Sequence, residues 1–144
     1  MTAEYLWERL FSVEHADLEG RTWPASVSVT GARHYFVAIK LRWADQQPMA
    51  EAKDAFSAFC KVREELSARG LLPRCYAASR NVVLSSMCYQ MSSGLKGYLV
   101  RMGQPALLAD LVRIFDVGPS MDLVSVREQQ EFKRAWLRSL GLRA

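Results

Sequence analysis

The chain has 144 residues, half of them hydrophobic and 24% charged, with a formal net charge of +4. This length suits one domain, and this balance excludes a globally disordered chain. The apolar runs are too short for a transmembrane helix. The N-terminus lacks a basic region leading into an apolar stretch, so the expected setting is the cytoplasm, away from membranes.

Residues 2–13 are predicted to form a short helix. Tyr5, Leu6, Leu10 and Val13 fall near helical spacing, and Thr2 suits a cap. Residues 14–24, with Gly20 and Pro24, read as a connector. Val27 and Val29 then alternate with Ser26 and Ser28, and Tyr35, Val37, Ile39, Leu41 and Trp43 alternate with His34, Ala38, Lys40 and Arg42. Period-two patterning on both sides of Thr30-Gly31 predicts a β-hairpin with one buried face. Phe36 interrupts the polar face, so part of that face is expected to be covered. A long helix is predicted over 49–69, capped by Asp45 or Gln47, with Pro48 in its first turn. Its apolar stripe is Ala52, Ala55, Phe56, Phe59, Cys60 and Leu66, and Gly70 ends it.

Residues 71–77 read as a strand placed at a sheet edge or strand start by Pro73. Another strand is predicted over 95–102. A short apolar strand or helix end is predicted over 111–115, and Gly118-Pro119 breaks the chain. Ser125 followed by Glu128 is a capping box, opening a final helix whose apolar side is Val126, Phe132, Trp136, Leu137 and Leu140 and which Gly141 ends. The expected fold is therefore a single α+β domain: an antiparallel hairpin-based sheet packed by a long central helix and a C-terminal helix.

The chemical inventory is sparse. Three cysteines, Cys60, Cys75 and Cys88, are too few and too irregular for a disulfide framework, and Cys60 reads as a small core residue. With His15 and His34 they offer no close ligand pair, so no metal is expected. Cys75 and Cys88, with Ser85, Ser86, Ser92 and Ser93, are the candidate nucleophiles, and no nucleophile elbow accompanies them. Asp110, Asp116 and Asp122 are candidate acids without a spacing that brings them together. Ser92 to Gly97, SSGLKG, has only part of a phosphate loop and reads as a turn into a strand. What remains is recognition chemistry. Tyr76, Arg80, Asn81, Met87, Tyr89 and Met91 are residue types enriched at protein contacts, on a segment rich in hydroxyls, sulfur and aromatics; the expected contacts centre on Tyr76, Arg80, Asn81, Met87 and Tyr89. Arg127, Lys133, Arg134, Arg138 and Arg143 crowd the last helix. They suit a solvated helix end, a nucleic-acid surface or an acidic protein partner.

Residues 75–103, CYAASRNVVLSSMCYQMSSGLKGYLVRMG, resemble small bacterial proteins encoded beside polymorphic toxins of contact-dependent, type VI or Rhs systems. So do residues 110–141, which open DLVRIFDVGP and close VSVREQQEFKRAWLRSLG, and the helix end VREEL at 62–66. Those proteins act as cognate immunity proteins. The resemblance implies a chain that binds a toxin effector domain and blocks it sterically, without turnover or cofactor. The segment SRNVVLSS at 79–86 departs from the charged, Gly- and Pro-containing version of those proteins, as partner-specific contact would require. The positive charge disfavours a basic nuclease as the partner. The competing expectations are a nucleic-acid-binding regulator using the last helix, and a small thiol enzyme using Cys75 or Cys88.

Overall fold

The computed structural model describes residues 5–16, 20–32 and 37–142. The fold is α+β, built on a five-stranded antiparallel sheet of order β4-β3-β2-β1-β5 and a three-stranded sheet of order β6-β7-β8. The first sheet consists of β1 (Tyr5–Ala16), β2 (Thr22–Ala32), β3 (Val37–Arg42), β4 (Met49–Ala52) and β5 (Leu72–Pro73).

The predicted N-terminal helix is a strand. Thr2 lies outside the described residues, but β1 pairs with β2 along nearly its whole length, Phe11 facing Val27 and Arg9 facing Val29. Val13 is buried, Trp7 and Phe11 are half-buried, and Leu10 is 72% exposed. The residues that turn inward are thus 7, 11 and 13, a period-two set. Helical spacing had drawn Leu10 into the wrong group, and strand pairing with β2 overrides it. The predicted connector is likewise absorbed: Glu14 faces Pro24 within the ladder.

The predicted hairpin is present. Val27 pairs with Leu41 and Val29 with Ile39, and all four side chains are buried. Thr30 and Gly31 belong to β2 rather than to the turn. The link between the strands, with His34, Tyr35 and Phe36, lies outside the described residues. Gly31 is needed for packing: a Cβ there would run into the Trp7 indole.

The long helix begins later than its apolar pattern suggested. Residues 49–52 form β4 on the sheet edge, and α1 spans Ala55–Ser67. Asp54 is the N-cap, rather than Asp45 or Gln47, and its carboxylate accepts from the Ser57 amide and hydroxyl, both at 2.8 Å. Pro48 lies in the loop before β4. The buried stripe of α1 is Ala55, Ala58, Phe59, Val62, Arg63 and Leu66, while Phe56 and Cys60 are only half-buried. At its C-terminus Gly70, with φ +72°, lets Leu71 N–H reach back to Leu66 O, a Schellman closure.

After the edge strand β5, the chain makes a 3-10 turn at Tyr76–Ala78 where further strand was expected. The smaller sheet is β6 (Val82–Val83), β7 (Lys96–Leu99) and β8 (Leu111–Arg113), with α2 (Ser86–Met91) inserted after β6 and capped by Ser85. SSGLKG is a turn entering β7, as expected. Gly94, with φ +76°, packs against Asp54. The last helix, α3 (Val126–Ser139), has its full capping box. Trp136 is buried with Val83 and Val100 of the smaller sheet and its neighbouring loop, and Phe132 is half-buried beside it. Phe115 joins the layers: its ring lies 4.7 Å from Phe11 of β1 and 5.0 Å from Phe59 of α1.

Candidate functional site

The residues singled out over 76–89 divide between two surroundings. Tyr76 is buried in the core, its hydroxyl donating to Pro119 O at 3.2 Å and its ring closing against Gly118. It is unavailable as the aromatic anchor expected of it. Arg80 and Asn81 face the loop before α3. The Arg80 guanidinium pairs with Asp122 at 2.8 Å and Glu128 at 3.5 Å, with 39% of the side chain exposed. Asn81 donates to Ser120 O and accepts from the Ser79 hydroxyl. Both therefore stitch the chain together as well as reaching its surface. Met87 and Tyr89 sit on α2. Met87 is 63% exposed, whereas Tyr89 is half-buried, and burial pushes its phenol up to about 12.

The three cysteines are buried or half-buried and unpaired as disulfides. Cys75 is fully buried and desolvation pushes its thiol up to about 12, which leaves it protonated and unreactive near neutrality. Cys88 is buried under the Ser85 hydroxyl, 3.4 Å away. Cys60 is half-buried, and desolvation likewise raises its thiol. Among the described residues no cluster of three metal-capable side chains occurs. The side chain of His15 and all of His34 lie outside the described residues. Asp116 is held by Arg113 and Asp122 by Arg80, so these carboxylates are occupied separately. The basic helix is also partly committed: Lys133 turns inward to Leu84 O at 3.2 Å, and Arg127 pairs with Glu131. Arg143 is outside the described residues.

A further surface hollow lies between the first sheet and α2. A cleft of about 550 Å³ runs along β1, with Trp7, Arg9 and Phe11 on one wall and Met91, Lys96 and Arg113 on the other. A second hollow of about 300 Å³ continues from it across Met91 and Lys96 and is lined by Met87, Tyr98, Leu108 and Leu111. Met91 is 80% and Leu108 77% exposed, an unusual amount of flexible apolar surface for one face. The alternation along 7–13 was the signal that could have placed Trp7, Arg9 and Phe11 together. Lys96 and Arg113 meet because β7 and β8 pair Lys96 directly with Arg113. Of the residue types expected at a contact, Met87 and Met91 line this face.

Compared with family models and with curated proteins, the sequence matches none of them.

Proposed function

We propose that the chain is an immunity protein that binds one cognate bacterial toxin domain and neutralises it by occlusion, without turnover. The reading is supported by a positive observation: Met87, Met91 and Leu108 lie exposed along a hollow that opens into a cation-rimmed cleft. Exposed flexible apolar side chains beside rim charges are the makings of a protein contact. The resemblance of residues 75–103 and 110–141 to immunity proteins supplies the partner class. Arg80 and Asn81 add polar contacts at the other end of the segment. The fully buried thiol of Cys75 has no part in this function.

Co-expression with the toxin domain encoded beside the chain tests the reading. Cells carrying both should survive, and a complex should persist through size-exclusion chromatography. Cells that die as fast as those making toxin alone, with no complex recovered, would overturn it.

A further inference from the structure

β1 is an edge strand for most of its length. Eleven of its twelve residues pair with β2 on one side, but on the other side β5 pairs only with His15 and Ala16, through Pro73 and Leu72. The Arg74 amide adds one bond, to Glu14 O at 2.6 Å. Among the described residues only the Arg9 guanidinium, 3.4 Å from Glu8 O, reaches the outward amides and carbonyls of residues 7–13. An open row of backbone donors and acceptors is a template for one more strand. The cleft of about 550 Å³ follows this same edge, so a strand added there would lay its alternate side chains into it.

We propose that this edge receives an extended, acidic segment of the partner protein, added antiparallel or parallel to β1 as a further strand. The inference rests on the reading of the chain as a protein-binding immunity factor and names the surface and chemistry of the contact. Main-chain hydrogen bonds hold the segment, and side-chain pockets select it. Its inward side chains meet Trp7, Phe11 and Met91 as apolar seats and Arg9, Lys96 and Arg113 as cations. Of these cations, Arg113 is held by Asp116, while among the described residues no carboxylate pairs with Arg9 or Lys96. The rim is thus complementary to carboxylates. The same charges oppose the other obvious occupant, a second copy of β1, because edge-to-edge pairing of two copies brings like-charged rims together.

Hydrogen exchange on the complex with the toxin domain, compared with the free chain, tests this directly. The outward amides of residues 7–13, those not bonded to β2, should exchange at least tenfold more slowly in the complex. The double variant Arg9→Glu, Lys96→Glu should weaken the complex at least tenfold, with a smaller loss at high salt, while its free-chain melting curve stays close to the parent's. A complex that forms with unchanged exchange over 7–13 and tolerates the double variant overturns the docking site and leaves the immunity reading intact. Failure to form any complex removes both. A free chain that is already dimeric, with 7–13 protected, shows the edge closed by a second copy and overturns the inference.

Discussion

At the scale of single residues, Arg63 carries the most information. It is 1% exposed on the core face of α1, and among the described residues no carboxylate pairs with it. Its guanidinium donates instead to Ala77 O at 2.8 Å, Gln129 Oε1 at 2.6 Å and Val124 O at 3.1 Å. Gln129 Nε2 in turn donates to Ala77 O and Ser79 O. Desolvation lowers the Arg63 pKa, and the ring of neutral acceptors is what makes its burial tolerable. Arg63→Met should cost about 3–4 kcal/mol and Gln129→Leu about 2–3 kcal/mol in urea unfolding, through the buried polar groups each leaves unmet. The double variant Arg63→Met, Gln129→Leu should cost clearly less than the summed single losses, because it removes the buried charge together with its acceptor. Additive losses would show that the two side chains act independently. Cys75 gives a pH signature. Its thiol moves from an ordinary 9.0 to about 12 on folding, so the unfolded chain loses this proton first. Stability from this group is fully present below pH 9 and should fall by roughly 1.4 kcal/mol per pH unit from there towards pH 12. Cys75→Ala should flatten that part of the urea-midpoint profile, and an unchanged slope would contradict the assignment.

At the scale of elements, caps decide where helices begin. Ser125→Ala removes the capping box of α3 and should cost about 1 kcal/mol. Gly94 acts on α1 from a distance: a Cβ there would come within 2.6 Å of Asp54 Oδ1, at a φ of +76° that L side chains rarely adopt. Gly94→Ala should therefore cost about 1–3 kcal/mol, and combining it with Asp54→Ala should give less than the sum, since both disturb the same cap. Calorimetric melting of the three variants checks this. These details mark the limits of what the sequence made legible. The β2–β3 hairpin and α3 were plain, because each carries a clean period and α3 also carries its own cap. β1 was misread, because Leu10 and Val13 also fit helical spacing and only pairing with β2 chooses between the periods. Residues 49–52 were read into α1 because alanines suit either element, and Asp54 is followed by Ser57 rather than by the Glu or Gln of a capping box. Of the candidate site, Met87 and Met91 were legible from their residue type. The Arg9–Lys96–Arg113 rim was not, since it exists only once β1 and the β7–β8 pair stand on opposite sides of a cleft.

At the scale of the whole molecule, Phe115 and Trp136 hold separate interfaces. Phe115 is wedged between Phe11 and Phe59, so Phe115→Ala should cost about 3–5 kcal/mol and loosen β1 from α1 together. Trp136, whose indole N–H donates to Gln104 O at 2.9 Å, seats α3 on the smaller sheet. Trp136→Ala should cost a similar 3–5 kcal/mol, and a melting curve unchanged by it would reject that role. The buried arginine also has a consequence in time. Its acceptors Val124 and Gln129 lie 61 and 66 residues further along the chain. At ordinary rates of synthesis they leave the ribosome on the order of several seconds after it. Until then the guanidinium of a nascent chain lacks both of these acceptors and keeps its water. A chain cut short before Val124 should therefore leave the α1 face around Arg63 hydrated and uncovered, and limited proteolysis should cleave it faster than the full chain.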